Sequence, residues 1–325
     1  KGPVALVTED FDLNGIPDLA VALFTDNKVQ IIYNPSLCPD CTGKIPCTTP
    51  APTQRSEVVP PASGGESPKF EAPPSPGLSL AVAEGPVLSL PRADMNLFAV
   101  GDLNGDRQVD VILGSMNSDV ILLFQGDKDG TLLAKGDVRI GLTPEKLLTA
   151  DLDGNGLADV IAVSWRQAQA VVLWSKGSFL FGPTSFFGLP SRVRDALALR
   201  LTDSTRDELV LLTDAGPLVW SIPQRGGIME WAVTPSALSG LKPLPNGLYA
   251  YAAFGSNTVA AVSYSNNPGE LCFALGASSL GSFRVTQEGA IRTIAVADVN
   301  GDGLPDVLGL EEVGRIRVWL VTKGK

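Results

Sequence analysis

Four stretches of this chain place oxygen-bearing side chains at relative positions 1, 3, 5 and 9. They are Asp10, Asp12, Asn14 and Asp18; Asp102, Asn104, Asp106 and Asp110; Asp151, Asp153, Asn155 and Asp159; and Asp298, Asn300, Asp302 and Asp306. A turn needs only one or two such residues. Here three carboxylates and an amide converge, and the charges repel one another unless a cation sits among them. Oxygen ligands at loose spacing suit calcium, which accepts roughly six to eight of them. Backbone carbonyls at position 7, those of Ile16, Gln108, Leu157 and Leu304, complete each set. The expectation is up to four Ca²⁺ ions, structural rather than catalytic, because a reaction needs an open ligand position.

The loops differ from an EF-hand, which requires a bidentate Glu at position 12, where the last loop has Gly309. They also account for the charge. The chain carries 35 acidic and 25 basic residues, a formal net charge of −10. Four divalent ions would bring that to −2, leaving little excess to steer a cationic partner. The acidity argues against nucleic acid as a partner. The chain has no histidine, which removes the commonest general base and transition-metal ligand. No run of apolar residues approaches the roughly 20 that a membrane span needs.

Each loop lies between two short apolar runs, as in Leu97–Gly101 and Val109–Leu113 around the second, or Thr293–Ala297 and Val307–Leu310 around the fourth. The second and third loops start 49 residues apart, and Asp203 opens a degenerate copy 52 residues further on. Another copy, without acidic residues, is read near Gly247–Phe254. One period holds four strands: after the second loop, Asp119–Phe124 is the third and Thr131–Ile140 the fourth. After the third loop they are Ala170–Trp174 and a strand from Phe179 onward. No stretch keeps a helical period. Four-stranded units repeating every 45 to 50 residues or so predict an all-β fold, a β-propeller with six repeats visible and seven blades still open. The last repeat ends after its third strand, Arg315–Leu320, which leaves a fourth strand open to come from elsewhere.

These repeats resemble the FG-GAP or VCBS type of propeller repeat, as in integrin α-subunit heads, fungal lectins and exported bacterial proteins. The resemblance covers nearly all of the chain outside one insertion, and residues 1–325 are read as a single domain. It implies that each cage joins the innermost strand of a blade to the next.

One segment breaks the period. Residues 36–77, inside the first blade, are rich in proline and carry Cys38, Cys41 and Cys47; Gly85–Leu90 then completes the blade. Such a segment suits lying across a partner. With Cys272 these cysteines form either disulfides, the expected state in an exported chain, or a Cys₄ zinc site that lacks its second CxxC. Weak calcium sites fill at extracellular concentrations, on the order of 10⁻³ M, and not in resting cytosol. An exported protein is therefore expected, periplasmic, cell-surface or secreted. No signal-peptide pattern opens the chain at Lys1, which fits a mature product.

Five tryptophans, Trp165, Trp174, Trp220, Trp231 and Trp319, raise a lectin reading, with Trp165 beside Arg166 and Gln167 the most exposed candidate. Four lie within or at the end of strands, where packing explains them. No nucleophile elbow or phosphate loop is present, and carboxylate pairs lie mainly inside the cages, so no enzyme is expected. The reading is a calcium-stabilised, non-catalytic module for protein–protein interaction or cell adhesion, a subunit of an envelope or extracellular assembly. A carbohydrate-binding lectin is the alternative and a carbohydrate-active enzyme the third.

Overall fold

The structure is a computed structural model, described for residues 5–23, 27–34, 68–70, 83–90, 94–128, 130–190, 193–200, 205–213, 216–221, 229–231, 248–254, 258–265, 269–275, 278–284, 290–312 and 316–323. These residues form strands, turns and bends, with no helix among them. The first strands are β1 (Ala5–Glu9), β2 (Asp18–Leu23), β3 (Lys28–Tyr33), β4 (Pro68–Phe70) and β5 (Ala83–Ser89). Then come β6 (Leu97–Gly101), β7 (Asp110–Gly114), β8 (Val120–Gly126) and β9 (Leu132–Arg139), followed by β10 (Lys146–Ala150), β11 (Asp159–Ser164), β12 (Gln169–Leu173) and β13 (Ser185–Gly188). The chain continues with β14 (Val193–Leu199), β15 (Glu208–Thr213), β16 (Gly216–Ser221) and β17 (Met229–Trp231), and with β18 (Leu248–Phe254), β19 (Thr258–Ser265), β20 (Glu270–Leu275) and β21 (Ser278–Arg284). It ends with β22 (Ile291–Ala297), β23 (Asp306–Glu311), β24 (Ile316–Trp319) and β25 (Val321–Lys323).

The sheets follow chain order: β1-β2-β3-β5, β6 to β9, β10 to β13, β14 to β17 and β18 to β21, each four-stranded, then the three-stranded β22-β23-β24. Six consecutive antiparallel meanders of this kind are the blades of a β-propeller. A separate pair, β25 with β4, brings part of the proline-rich segment into the fold. The rest of residues 36–77, with Cys38, Cys41 and Cys47, lies outside the described residues. The fourth strand of the third blade starts later than expected. Gly177, Ser178 and Phe179 all have positive φ, forming a tight turn; Phe181 makes one bridge to Ser175, and regular pairing begins only at Ser185.

The chain divides into two compact units, residues 1–21, 31–85 and 236–325 in one, residues 22–30 and 86–235 in the other. In the second unit β10 packs between β6 and β14; in the first, β22 packs between β18 and β1. Packing on both faces explains why the second strands read as continuous apolar runs. β7, β11 and β23 are buried at every position. In β11 the alternation is hidden: Val160 and Ala162 join a core with Ile112 and Leu123, whereas Ile161 and Val163 join another with Leu209 and Trp220. The outermost strand β9 is mostly exposed. The first unit has its own core, in which Tyr264 and Trp319 stack with ring centroids 6.4 Å apart.

Candidate metal centres

Each of the four loops leaves an innermost strand and enters the next strand at its ninth position. The chain must reverse in eight residues, and it does so with left-handed backbone at positions 4 and 6. These are Leu13 and Gly15, Gly105 and Arg107, Gly154 and Gly156, and Gly301 and Gly303. The first two loops each place one non-glycine residue there, at a cost of about 1–2 kcal/mol.

The position-1 carboxylate is the hub of each turn. Asp10 accepts the N–H groups of Asn14 and Gly15 at 2.9 and 2.8 Å, and Asp102 those of Gly105 and Arg107 at 2.7 and 2.9 Å. Asp151 accepts from Gly154 and Gly156, and Asp298 from Gly301 and Gly303, at 2.8 to 2.9 Å. At positions 3 and 5 each side-chain oxygen accepts the N–H two residues on, as in Asp12 to Asn14 and Asn14 to Ile16. The Asn amide donates to its neighbouring Asp in every loop: Asn14 to Asp12, Asn104 to Asp106, Asn155 to Asp153 and Asn300 to Asp302.

The ninth carboxylate has a second duty that spacing did not reveal. Asp18, Asp110, Asp159 and Asp306 are completely buried. One oxygen of each accepts the N–H of position 2, from Phe11, Leu103, Leu152 and Val299. The other accepts an N–H at the end of the third strand, from Asn34, Gly126, Ser175 and Val321. The ninth residue thus braces loop and sheet as well as facing the cage. The signal in the sequence is only a separation, 16 residues in three blades and 15 in the last. At Gly126 the brace leaves no room for a side chain, since a Cβ there would lie 2.1 Å from the carbonyl oxygen of Val109. Gly126→Ala is expected to destabilise the protein by about 2–3 kcal/mol, read from its urea midpoint, because backbone rather than a flexible side chain must yield.

Electrostatics marks the same groups. Burial pushes the carboxyls of Asp18, Asp110, Asp159 and Asp306 up to about 7, despite the N–H groups that favour the charged form, and neighbouring Asp residues add to the rise. Burial also raises Asp10 and Asp153, with the charges of Asp12 and Asp151 respectively reinforcing it. Ligand oxygens of Asp10, Asp12 and Asp18 lie within 4.8 Å of one another, as do those of Asp151, Asp153 and Asp159. Ligands at about 2.4 Å from one calcium ion span that distance at most. These two loops therefore fit calcium, with the position-7 carbonyls of Ile16 and Leu157 available to extend the set.

Among the described residues no other trio of acids closes to this spacing. The loops at 102–110 and 298–306 exchange the residue types at positions 3 and 5, so their middle Asp is the exposed one, Asp106 or Asp302. Asp106 also accepts the Gln125 amide at 2.9 Å. They offer two buried or half-buried carboxylates and a more distant third.

The fourth blade corrects the reading of Asp203 as a loop start. Gly101 pairs with Asp110, Ala150 with Asp159 and Ala297 with Asp306; the matching pair in the fourth blade is Leu199 with Glu208. Position 9 is thus Glu208 and position 1 is Arg200, while Asp203 itself lies outside the described residues. Arg200 Nε donates to Asp207 Oδ1 at 3.1 Å, so a guanidinium stands at the position that holds Asp in the other four loops. Asp207 Oδ2 in turn accepts the N–H of Asp151, and the Asp207 N–H donates to the Asp151 carbonyl, joining adjacent loops. In the fifth blade Phe254 pairs with Thr258, so three residues separate the first two strands where the caged blades have eight.

The other candidates are occupied elsewhere. Arg166 holds Glu145 at 2.8 Å, and Gln167 Oε1 accepts the Thr143 N–H at 2.9 Å. Trp174, Trp220 and Trp319 are buried, Trp165 is half-buried, and the side chain of Trp231 lies outside the description. Cys272 is a buried free thiol, its Sγ 3.9 Å from Glu270 Oε1.

Comparison with known proteins places these observations. No curated protein sequence gives a significant match. Among solved structures the chain is similar to BBS1N crystallised in complex with ARL6DN. A mercury-soaked crystal matches with 12% identity, 99% of this chain and 93% of that one, and a TM-score of 0.48. A lead-soaked crystal gives 11%, 100%, 93% and 0.49. A lectin from Agrocybe aegerita, solved for its recognition of non-reducing terminal N-acetylglucosamine, is 14% identical, with 99% of this chain and 81% of that one covered and a TM-score of 0.48. Residues 102–162, which run from the second loop through the third into β11, match the model of the FG-GAP-like repeat.

Proposed function

We propose that this chain is an exported, calcium-stabilised propeller that acts as a non-catalytic protein-binding module within an envelope or extracellular assembly. The observation that carries the reading is the acidic loop itself. In the first and third blades three carboxylates sit within 4.8 Å of one another, each accepting at least one backbone N–H. Calcium, held by Asp10, Asp12 and Asp18 or by Asp151, Asp153 and Asp159, would offset their mutual repulsion and rivet adjacent strands. The loops at 102–110 and 298–306 would bind more weakly. Filling such sites requires calcium on the order of 10⁻³ M, which supports a location outside the cytosol.

A non-catalytic role fits the same geometry. The buried carboxylates serve as braces, and the chain has no histidine to partner a nucleophile. The likeness of residues 102–162 to FG-GAP repeats, whose best-known members are adhesive, supports a protein partner met through the loop faces. Co-purification from the native source tests this. A protein should be retained in calcium and released by chelator; a lone monomer carrying glycan in both conditions overturns the reading in favour of a lectin.

A further inference from the structure

We infer that the fourth blade, which has no cage of its own, supports the calcium site of the third: Asp207, held by Arg200, is a positioning residue for Asp151. The inference rests on calcium in the cage of Asp151, Asp153 and Asp159, whose ligand oxygens lie within 4.8 Å of one another. The connection in the fourth blade is as long as a caged loop, since β14 ends at Leu199 and β15 starts at Glu208. Arg200 stands where the caged loops have their hub Asp, and Asp207 stands at position 8.

From that position Asp207 takes both backbone groups of Asp151. Its N–H donates to the Asp151 carbonyl at 2.8 Å, and its Oδ2 accepts the Asp151 N–H at 2.9 Å. Fixing the peptide groups on either side of the Asp151 Cα restricts the direction in which its side chain leaves. That matters because the Asp151 carboxylate must reach the N–H groups of Gly154, Asn155 and Gly156 while it faces the cage. Arg200 Nε donates to Asp207 Oδ1 at 3.1 Å, which compensates the charge and leaves Oδ2 turned to Asp151. The neighbouring residues press on the same turn: a Cβ at Gly154 would lie 2.8 Å from Arg206 Cγ and 3.0 Å from Thr205 Oγ1.

Position 8 offers less elsewhere. The Ala158 N–H donates to the Asp102 carbonyl at 2.8 Å, repeating half of the arrangement, but alanine has no side-chain oxygen to accept an N–H in return. Pro17, at position 8 of the first loop, has neither the donor nor the acceptor. The residues that orient metal-ligating carboxylates typically change metal affinity by about 10–100-fold when they are removed. The third cage is therefore the one whose affinity depends on the blade that follows it.

Calorimetric titration with calcium tests this in two chains, Asp12→Ala, which keeps the third cage, and Asp153→Ala, which keeps the first. In the Asp12→Ala chain, Asp207→Ala should weaken the tightest site about tenfold or more. Asp207→Asn retains an oxygen for the Asp151 N–H without the charge, and should restore most of the affinity. In the Asp153→Ala chain, Asp207→Ala should leave the tightest site unchanged. Because coupling is reciprocal, calcium should slow amide exchange at Asp207 by a similar factor in the Asp12→Ala chain, and not in the Asp153→Ala chain. Unchanged affinity with Asp207→Ala, equal losses in both chains, or no rescue by Asp207→Asn would overturn the inference while leaving calcium in place. An unsubstituted chain that binds no calcium would overturn the reading on which it rests.

Discussion

Removing divalent cations at neutral pH is expected to lower the melting temperature by roughly 10–20 °C. An ion that binds only the folded chain stabilises it by about 2.7 kcal/mol at a hundredfold excess over its dissociation constant. Two ions, at Asp10-Asp12-Asp18 and Asp151-Asp153-Asp159, would give about twice that. In a chain of this size each kcal/mol moves the midpoint by about 2–4 °C. Circular dichroism melts at a hundredfold excess of calcium over its measured dissociation constant, in chelator, and in chelator with calcium restored measure the effect. The combined Asp12→Ala and Asp153→Ala variant should lose most of the calcium-dependent shift. Superimposable melts with and without chelator would refute a structural ion.

The second large effect concerns the ninth position. Asp159→Ala orphans two buried N–H groups, of Leu152 and Ser175, now bound at 3.1 and 2.8 Å. Each unsatisfied group costs about 1–3 kcal/mol, so a loss of about 2–6 kcal/mol is expected even without calcium. Asp153→Ala removes a half-buried carboxylate of the same cage and should cost little in chelator. The contrast between the two, read from urea midpoints in chelator, separates the brace from the ligand; equal losses would show that the brace has no separate role. Proton linkage gives the same carboxyls a pH signature. With folded values near 7 and unfolded values near 4, the ion-free folded chain binds more protons than the unfolded chain between those limits. Stability in chelator therefore declines as pH rises from about 4 to about 7 and stays low above that. Calcium, which favours the charged form, flattens the decline.

The loops were legible because their chemistry demands particular residue types at particular spacings, and glycine at positions 4 or 6 reinforces them. The strands were legible because turns punctuate short apolar runs, even where burial on both faces erased alternation in β7 and β11. The brace left no such mark. Its donors are backbone N–H groups, which Asn34, Gly126, Ser175 and Val321 supply equally although their side chains share nothing. Asp203 misled because an acidic residue near the expected period looks like a worn cage; only the pairing of Leu199 with Glu208 reveals Arg200 at the first position. β4 was hidden for a different reason. Three residues, Pro-Lys-Phe, in a proline-rich stretch carry no strand pattern, and their pairing is decided by a partner at the far end of the chain.

That separation sets a timetable for synthesis. β4 leaves the ribosome about 250 residues before β25 exists, a wait of roughly 10–50 s at ordinary elongation rates. Throughout it the nascent chain carries β4 without its partner strand, the kind of edge that recruits neighbouring chains. The residues of β4 suit the wait: Pro68 withholds a donor and Lys69 adds charge, both of which discourage premature pairing. The pairing of β4 thus waits for residues 321–323, and a deletion that removes them removes it.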